Sequence, residues 1–234
     1  MEINKVLLLN NLLREEVEKY RGLFTTDIQN KLKFSVSAKN TNKVVFDKII
    51  DNSKNKSKIL ELIEQCNCVI KTISLEENDS LRESISLKTF KYDEICNEEW
   101  QNSTLRKYFD NNIFIFVVFK KERKMTKLEN IKIWKMTSQV LETGVRDVWE
   151  QTKSLVNQGK IVKYIDKRGR YITYFPTSSY TKYIHVRPHA QSREDTFTLP
   201  VKDIATGETK FMKHSFWLNS NFVKKIVVKD EFYE

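Results

Sequence analysis

Ile113-Phe-Ile-Phe-Val-Val-Phe119 is a run of β-branched and aromatic residues with no polar break, followed at once by Lys120-Lys121. Side chains on a strand alternate between faces, so a strand can be apolar throughout only where both faces are covered. The run therefore predicts a strand in the middle of a sheet, and it is far short of the roughly 20 residues that span a bilayer. Downstream, Ile131-Lys-Ile-Trp-Lys-Met136 alternates apolar and polar, which predicts a half-exposed neighbour. Upstream, Cys66 to Leu75 reads as a strand, the acidic stretch Glu76 to Glu83 as a turn, and Ser84 to Phe90 as the returning strand of a hairpin.

Helical periodicity surrounds this sheet. Leu7, Leu8, Leu12, Leu13, Val17 and Tyr20 recur at helical spacing opposite Glu15, Glu16 and Glu18, predicting a helix over 3–20 ended by Gly22. Thr26 is placed to cap a second helix, Asp27 to Lys33. A third covers about Asn42 to Asp51, with Val44, Val45, Phe46, Ile49 and Ile50 on its apolar side. Three such helices suit either a helix-turn-helix module or a helical cap beside a sheet. A lysine-rich connector, Asn52 to Lys58, leads to a short helix at Ile59 to Gln65. Asp93 to Asp110 reads as helical, and Leu141, Val145, Val148, Trp149, Thr152, Leu155 and Val156 share one face of a helix ending at Gly159. Ile161–Ile165, Tyr171–Phe175, Tyr183–Val186 and Lys210–Lys213 read as short strands, and helices from Phe216 or Asn219 close the chain. The expected architecture is one α/β (α+β) domain over 1–234. Residues 1–55 form its helical subregion, and 56–234 hold a mixed sheet core and a recognition end.

The chain has 234 residues, 40% hydrophobic and 12% aromatic, enough to bury a sizeable core. A formal charge of +10 points to a polyanionic partner, nucleic acid first and an acidic membrane surface second. Cys66, Cys68 and Cys96 are too few for a disulfide framework and lack zinc spacing, so they read as small apolar residues in a reducing cytoplasm. No basic segment followed by an apolar stretch and cleavage site opens the sequence. His185 and His189, four apart on a strand, would stand about 13 Å apart, too far to share a metal. Ser178-Ser179 lacks an ordering carboxylate, and the glycines form no phosphate-cradling loop.

Tyr183-Ile-His-Val-Arg-Pro-His-Ala-Gln-Ser-Arg193 runs alternation into Pro188, which stops the strand. Arg187 therefore stands at a strand end, followed by His189, Gln191, Ser192 and Arg193. A guanidinium fork beside a histidine and amides suits the acceptor-rich edges of bases and phosphates, although a solvated turn reads the same way. Basic residues gather in two connections. One holds Lys120, Lys121, Arg123, Lys124 and Lys127. The other holds Lys160, Lys163, Lys167, Arg168 and Arg170, with Tyr164, Tyr171 and Tyr174 interleaved. With the Arg187 element they suggest a phosphate-tracking surface.

Val186-Arg-Pro-His189, then Leu199-Pro200 and Lys213-His-Ser-Phe-Trp-Leu-Asn219, resembles the recognition end of the MutH mismatch-repair endonucleases. It is closer still to the related Sau-type restriction endonucleases that cut at GATC. The resemblance extends through Phe90-Lys-Tyr-Asp-Glu-Ile95, Asn97-Glu-Glu-Trp100, Phe114 to Lys121 and Val148-Trp-Glu-Gln-Thr152, from about Tyr20 to Val223. It implies that Arg187, His189 and Trp217 read the bases. The wider set of DNA contacts expected on this reading is Gln191, Arg193, Asn219, Lys167, Arg168 and Arg170. Trp217 stands where MutH has a tyrosine and cannot accept a hydrogen bond; a core anchor is the rival reading of it.

Active members of the family hold Mg²⁺ with an Asp, a Glu seven residues later and a further helix Glu, and a Lys two after the strand Glu assists. The oxygen ligands suit the hard cation, which activates water and offsets charge on the phosphate. Here the resemblance places Leu62 at the Asp position, Val69 at the strand Glu and Lys48 at the helix Glu. Only the lysine is retained, as Lys71. The implied site is therefore degenerate and takes no cofactor. The alternative is an active Mg²⁺-dependent endonuclease using the displaced carboxylates Glu61 and Glu64, and a third reading is a protein-interaction module without DNA binding. Sau-type enzymes resemble two such folds in tandem, a catalytic first half and a DNA-binding allosteric second half, and this chain resembles the second. Its expected partners are double-stranded DNA containing GATC, a catalytic MutH-like nuclease domain and a second copy of the chain. No membrane is expected, and the location expected is the bacterial cytoplasm.

Overall fold

The structure is a computed structural model and describes residues 2–228. In chain order its elements are α1 (Glu2–Glu18), α2 (Thr25–Lys31), α3 (Thr41–Asp51), α4 (Lys56–Gln65), β1 (Cys68–Leu75), β2 (Ile85–Phe90) and α5 (Tyr92–Asn97). A 3-10 turn, Trp100–Asn102, precedes α6 (Thr104–Asn111), β3 (Ile113–Glu122), β4 (Met125–Trp134) and α7 (Ser138–Val140). A π-turn, Leu141–Val145, leads into α8 (Arg146–Asn157), β5 (Val162–Ile165), β6 (Tyr171–Thr173), β7 (Ile184–Pro188), β8 (Thr196–Thr198), β9 (Lys210–Met212), β10 (His214–Leu218) and α9 (Ser220–Val228).

Two units are built from interleaved segments. Among the described residues the first comprises those up to Arg82, Asn111–Met136 and those from Val223 to Val228; the second comprises Glu83–Asp110 and Thr137–Phe222. The helices of residues 1–55 share the first unit with β1, β3 and β4.

In the first unit the sheet order is β1-β3-β4, with β3 parallel to β1 and antiparallel to β4. The apolar run is the middle strand, and Ile113 to Phe119 are all buried. Its Ile115, Val117 and Phe119 join Leu9, Leu13, Val17, Phe46, Ile49, Ile59 and Leu62 in one core. Each such side chain contributes about 1.5–3 kcal/mol by leaving water. On the alternate positions Phe114 and Phe116 pack against Trp134, with centroids 5.5 and 5.9 Å apart.

The expected hairpin between Cys66–Leu75 and Ser84–Phe90 does not form. Instead β1 lies parallel to β3, and β2 pairs with β10 in the other unit; a lone bridge, Leu75–Leu81, marks the turn. The acidic connection runs to the basic end of β3, where Asp79 meets Lys120 at 2.7 Å and Glu76 meets Lys121 at 2.6 Å. The first basic cluster is thereby largely neutralised, with Lys127 paired to Glu122 at 2.9 Å. Thr26 does not cap α2. The helix begins one residue earlier, and Phe24 precedes it with no side-chain cap.

In the second unit the sheet order is β2-β10-β7, antiparallel throughout, with two small ribbons, β5-β6 and β8-β9. Asp93–Asp110 is not one helix, because Glu98, Glu99 and Ser103 are extended. Ser103 instead caps α6, its Oγ accepting from Arg106 N at 3.2 Å, while Glu98 accepts from Thr104 N at 3.1 Å. In the π-turn ahead of α8, a Cβ on Gly144 would lie 2.3 Å from the Tyr183 ring, so any larger residue must displace that ring. Helix α8 ends as expected at Gly159, in the left-handed region at φ +64°. No helix starts at Phe216. Phe216 and Leu218 are buried on one face of β10, and the helix opens at Ser220. His214 is buried between the Phe175 and Phe211 rings. Its Nδ1 lies 2.8 Å from the Met212 carbonyl, and burial lowers its pKa to about 4.

Candidate nucleic-acid interface

Strands β7 and β10 pair so that His185 lies opposite Trp217 and Arg187 opposite Ser215. Directly paired residues share a face, so His185, Arg187 and Trp217 stand together while Ile184, Val186, Phe216 and Leu218 fill the core behind them. Arg187 is exposed, and its guanidinium carbon lies 4.6 Å from the Trp217 ring centroid. It makes no hydrogen bond or ion pair among the described residues. The stack contributes about 0.5–1 kcal/mol at such a site and presents the flat fork with its donors outward. His189 follows Pro188, donates its N–H to Lys213 O at 2.8 Å and sets its ring 5.3 Å from Trp217. The half-buried Trp217 is thus a platform under two exposed polar side chains, and its Nε1 is buried without an acceptor among the described residues.

The loop after His189 is ordered by Asp195. This carboxylate pairs with Lys213 and accepts from Gln191 N at 3.0 Å, and the Lys213 pairing does most to hold its pKa low. Arg193 reaches Gly169 O at 3.2 Å and so ties the loop to the tip of the β5-β6 hairpin. At that tip Asp166 accepts from Arg168 N and Arg170 N, both at 2.9 Å, and pairs with the Arg170 side chain at 2.7 Å. Arg170 is therefore partly neutralised. Lys167 and Arg168 are exposed, with no carboxylate partner among the described residues. The structure brings Arg187, His189 and Trp217 together, and separately Arg193 with the Lys167–Arg170 tip.

Asn219 is placed elsewhere. It is buried, its Oδ1 faces His185 Nδ1, and its Nδ2 donates to Thr181 O at 2.7 Å and Ser178 O at 3.2 Å. All its polar groups are committed to holding the 178–181 loop on β7, which leaves none for a partner. His185, by contrast, lines a cavity beside Arg187 together with Lys182, Ser178 and Ser179. The alternation that put Arg187 outward puts His185 on the same face, and that was the signal for it.

At the expected nuclease positions, Leu62 is buried in the α4 core contact, Val69 lies on β1 and Lys48 pairs with Asp51 at 3.6 Å. Glu61 is exposed, bonded to Lys58 at 3.0 Å and to Gln65 at 2.8 Å. Glu64 is exposed too, and no group of three or more His, Cys, Asp or Glu able to hold a metal forms among the described residues. These side chains do not fit the divalent cation of the active enzymes, which needs several oxygen ligands. Burial lowers the pKa of Lys71.

A sheet mixing parallel and antiparallel pairs under helices in one unit, with an antiparallel sheet in the other, is the restriction-endonuclease-like α+β class. Residues 50–147 match the family described as DNA mismatch repair enzyme MutH. The chain is 26% identical to the type II restriction enzyme Sau3AI of Staphylococcus aureus, over 72% of this chain and 40% of that enzyme. It spans about two fifths of that relative's length. Over these residues the chain is similar to MutH and to a Sau-type restriction enzyme. The family match takes in Leu62, Val69 and Lys71, while the β7-β10 platform lies beyond it. No helix among the described residues is long and apolar enough to cross a membrane.

Proposed function

We propose that this chain binds double-stranded DNA at GATC through the β7-β10 platform without cutting it. On this reading it serves as the regulatory half of a Sau-type restriction endonuclease. The observation that carries the reading is the unpaired Arg187 fork, laid on Trp217 beside His189 at the end of a strand. Such a fork bridges the O6 and N7 acceptors of guanine in the major groove, and exposed Lys167 and Arg168 supply phosphate contacts that position it. Leu62 and Val69 supply no metal ligand, so the bound duplex stays intact. DNA held here favours an assembly in which a catalytic MutH-like domain cuts a second site, a coupling between two sites through one assembly.

The test is a GATC duplex and a plasmid carrying the site, each incubated with the chain and Mg²⁺ or Mn²⁺. The duplex is expected to shift in a gel and the plasmid to remain supercoiled. Cleavage that disappears in Glu61→Ala or Glu64→Ala would establish an active nuclease instead.

A further inference from the structure

Within the second unit, beside Arg187, lies a cavity of about 420 Å³. Arg187 and Lys182 bring two cations to its wall, Ser178 and Ser179 bring hydroxyls, and no carboxylate lines it. Ser220 and Asn221, which open the nine-residue helix α9, also line it. The first N–H groups of a helix carry the positive end of its dipole and attract anions.

His185 supplies an independent observation. It is only 6% exposed, yet its ring forms part of the cavity wall. The Ser178 and Thr181 carbonyls fix the orientation of the Asn219 amide, so Asn219 Oδ1 faces His185 and Nδ1 carries the ring proton. Nε2 is then a lone-pair nitrogen with no hydrogen bond among the described residues. The charged groups facing it are Arg187 on its own strand and Lys182 from the preceding loop. Trp217 across the pair and Asn219 and Ser220 at the helix carry no charge. Burial does most to lower the pKa of the ring, the Asn219 bond opposes it, and Arg187 adds a smaller lowering. The wall lacks one thing, a negative charge.

We propose that this cavity is a phosphate site, filled by a backbone phosphate of the duplex whose bases Arg187 reads. Arg187, Lys182, the serine hydroxyls and the start of α9 donate to its oxygens. The arriving anion lets His185 Nε2 take up a proton from solvent and donate as well. Arg187 lies at the border of the cavity and the platform, so a seated phosphate also fixes the register of the fork against the base edge. The duplex source rests on the DNA-binding reading above, whereas the site's chemistry does not.

The experiment follows the His185 ring nitrogens by NMR at neutral pH during titration with a GATC duplex and, separately, with inorganic phosphate. It also compares the salt dependence of duplex binding by the wild type and Lys182→Gln. The duplex is expected to move Nε2 toward its protonated shift. Lys182→Gln is expected to lower the log–log salt slope by about 0.9, the value of one neutralised phosphate. Movement with inorganic phosphate alone would keep the phosphate site and overturn the duplex as its source. Tight duplex binding with unmoved nitrogens and an unchanged slope would overturn the site and leave the DNA-binding reading standing. If the wild type binds no duplex, that reading fails, and an unmoved His185 in inorganic phosphate then sinks the site as well.

Discussion

Arg187 has no protein acceptor and lies on an indole ring, so its orientation comes from stacking while its donors stay available. On the proposed function, replacing it with alanine removes a bidentate contact that contributes roughly 1–3 kcal/mol of discrimination between bases. Arg187→Ala is expected to shrink the affinity difference between GATC and scrambled duplexes about 5- to 150-fold, with the salt-sensitive nonspecific component largely kept. Arg187→Lys should recover only part, since a point charge replaces a planar fork. Competition binding on variants of unchanged thermal unfolding measures this, and an unchanged preference would show that another residue reads the base. His214 makes a separate prediction about stability. Its unfolded pKa is the ordinary 6.5 and its folded value about 4. The unfolded chain therefore binds a proton that the folded chain refuses. Stability from this residue is complete above pH 6.5, falls as pH drops toward 4, and levels off below. The loss is on the order of 3 kcal/mol. Denaturant unfolding between pH 7 and 4 should show that slope reduced in His214→Asn, and an identical slope would remove His214 as its source.

At the scale of elements, the β5-β6 hairpin carries Lys163, Lys167, Arg168 and Arg170 against one carboxylate, Asp166. Asp166 holds its turn and pairs with Arg170, leaving Lys167 and Arg168 without a carboxylate partner among the described residues. Neutralising those two together is expected to lower the salt slope by about 0.9 for each phosphate they cease to engage, read from binding at several salt concentrations. An unchanged slope would make them ordinary surface charge. Gly144→Ala is expected to destabilise the second unit by roughly 1–3 kcal/mol, since its Cβ must displace the Tyr183 ring. Thermal unfolding within 0.5 kcal/mol of wild type, an ordinary surface-substitution effect, would show that the ring gives way freely. Elements differ in how far their own residues declare them. The central position of β3 was legible because Ile113–Phe119 needs cover on both faces. The partner of β1 was not, since Cys68–Leu75 is half-buried along much of its length and alternation says nothing about which strand lies alongside. A parallel partner after a long crossover leaves no local mark, unlike a tight turn. Ser103 ends the apparent Asp93–Asp110 helix with a side-chain cap, a signal present but masked by the surrounding periodicity. A helix is expected from Phe216 or Asn219, and the pairing of β10 with β2 and β7 makes Phe216 strand. In the candidate interface Arg187 was legible from Pro188 after it. Asn219's inward commitment was not, because it depends on carbonyls about 40 residues away in sequence.

For the whole molecule, a net charge of +10 draws the chain to any polyanion, so affinity for DNA alone says little about function. The chain also spans only about two fifths of its restriction-enzyme relative, and the regulatory role proposed above presupposes a separate catalytic partner. What separates a GATC reader from a basic surface is preference at fixed salt. The most direct measurement is the dissociation constant for a GATC duplex against the same duplex with the site scrambled. Fluorescence anisotropy at about 150 mM salt, where nonspecific attraction is largely screened, gives both. A GATC reader binds the intact site at least about fivefold more tightly, the lower bound of one good bidentate contact. Equal affinity for the two duplexes would contradict it.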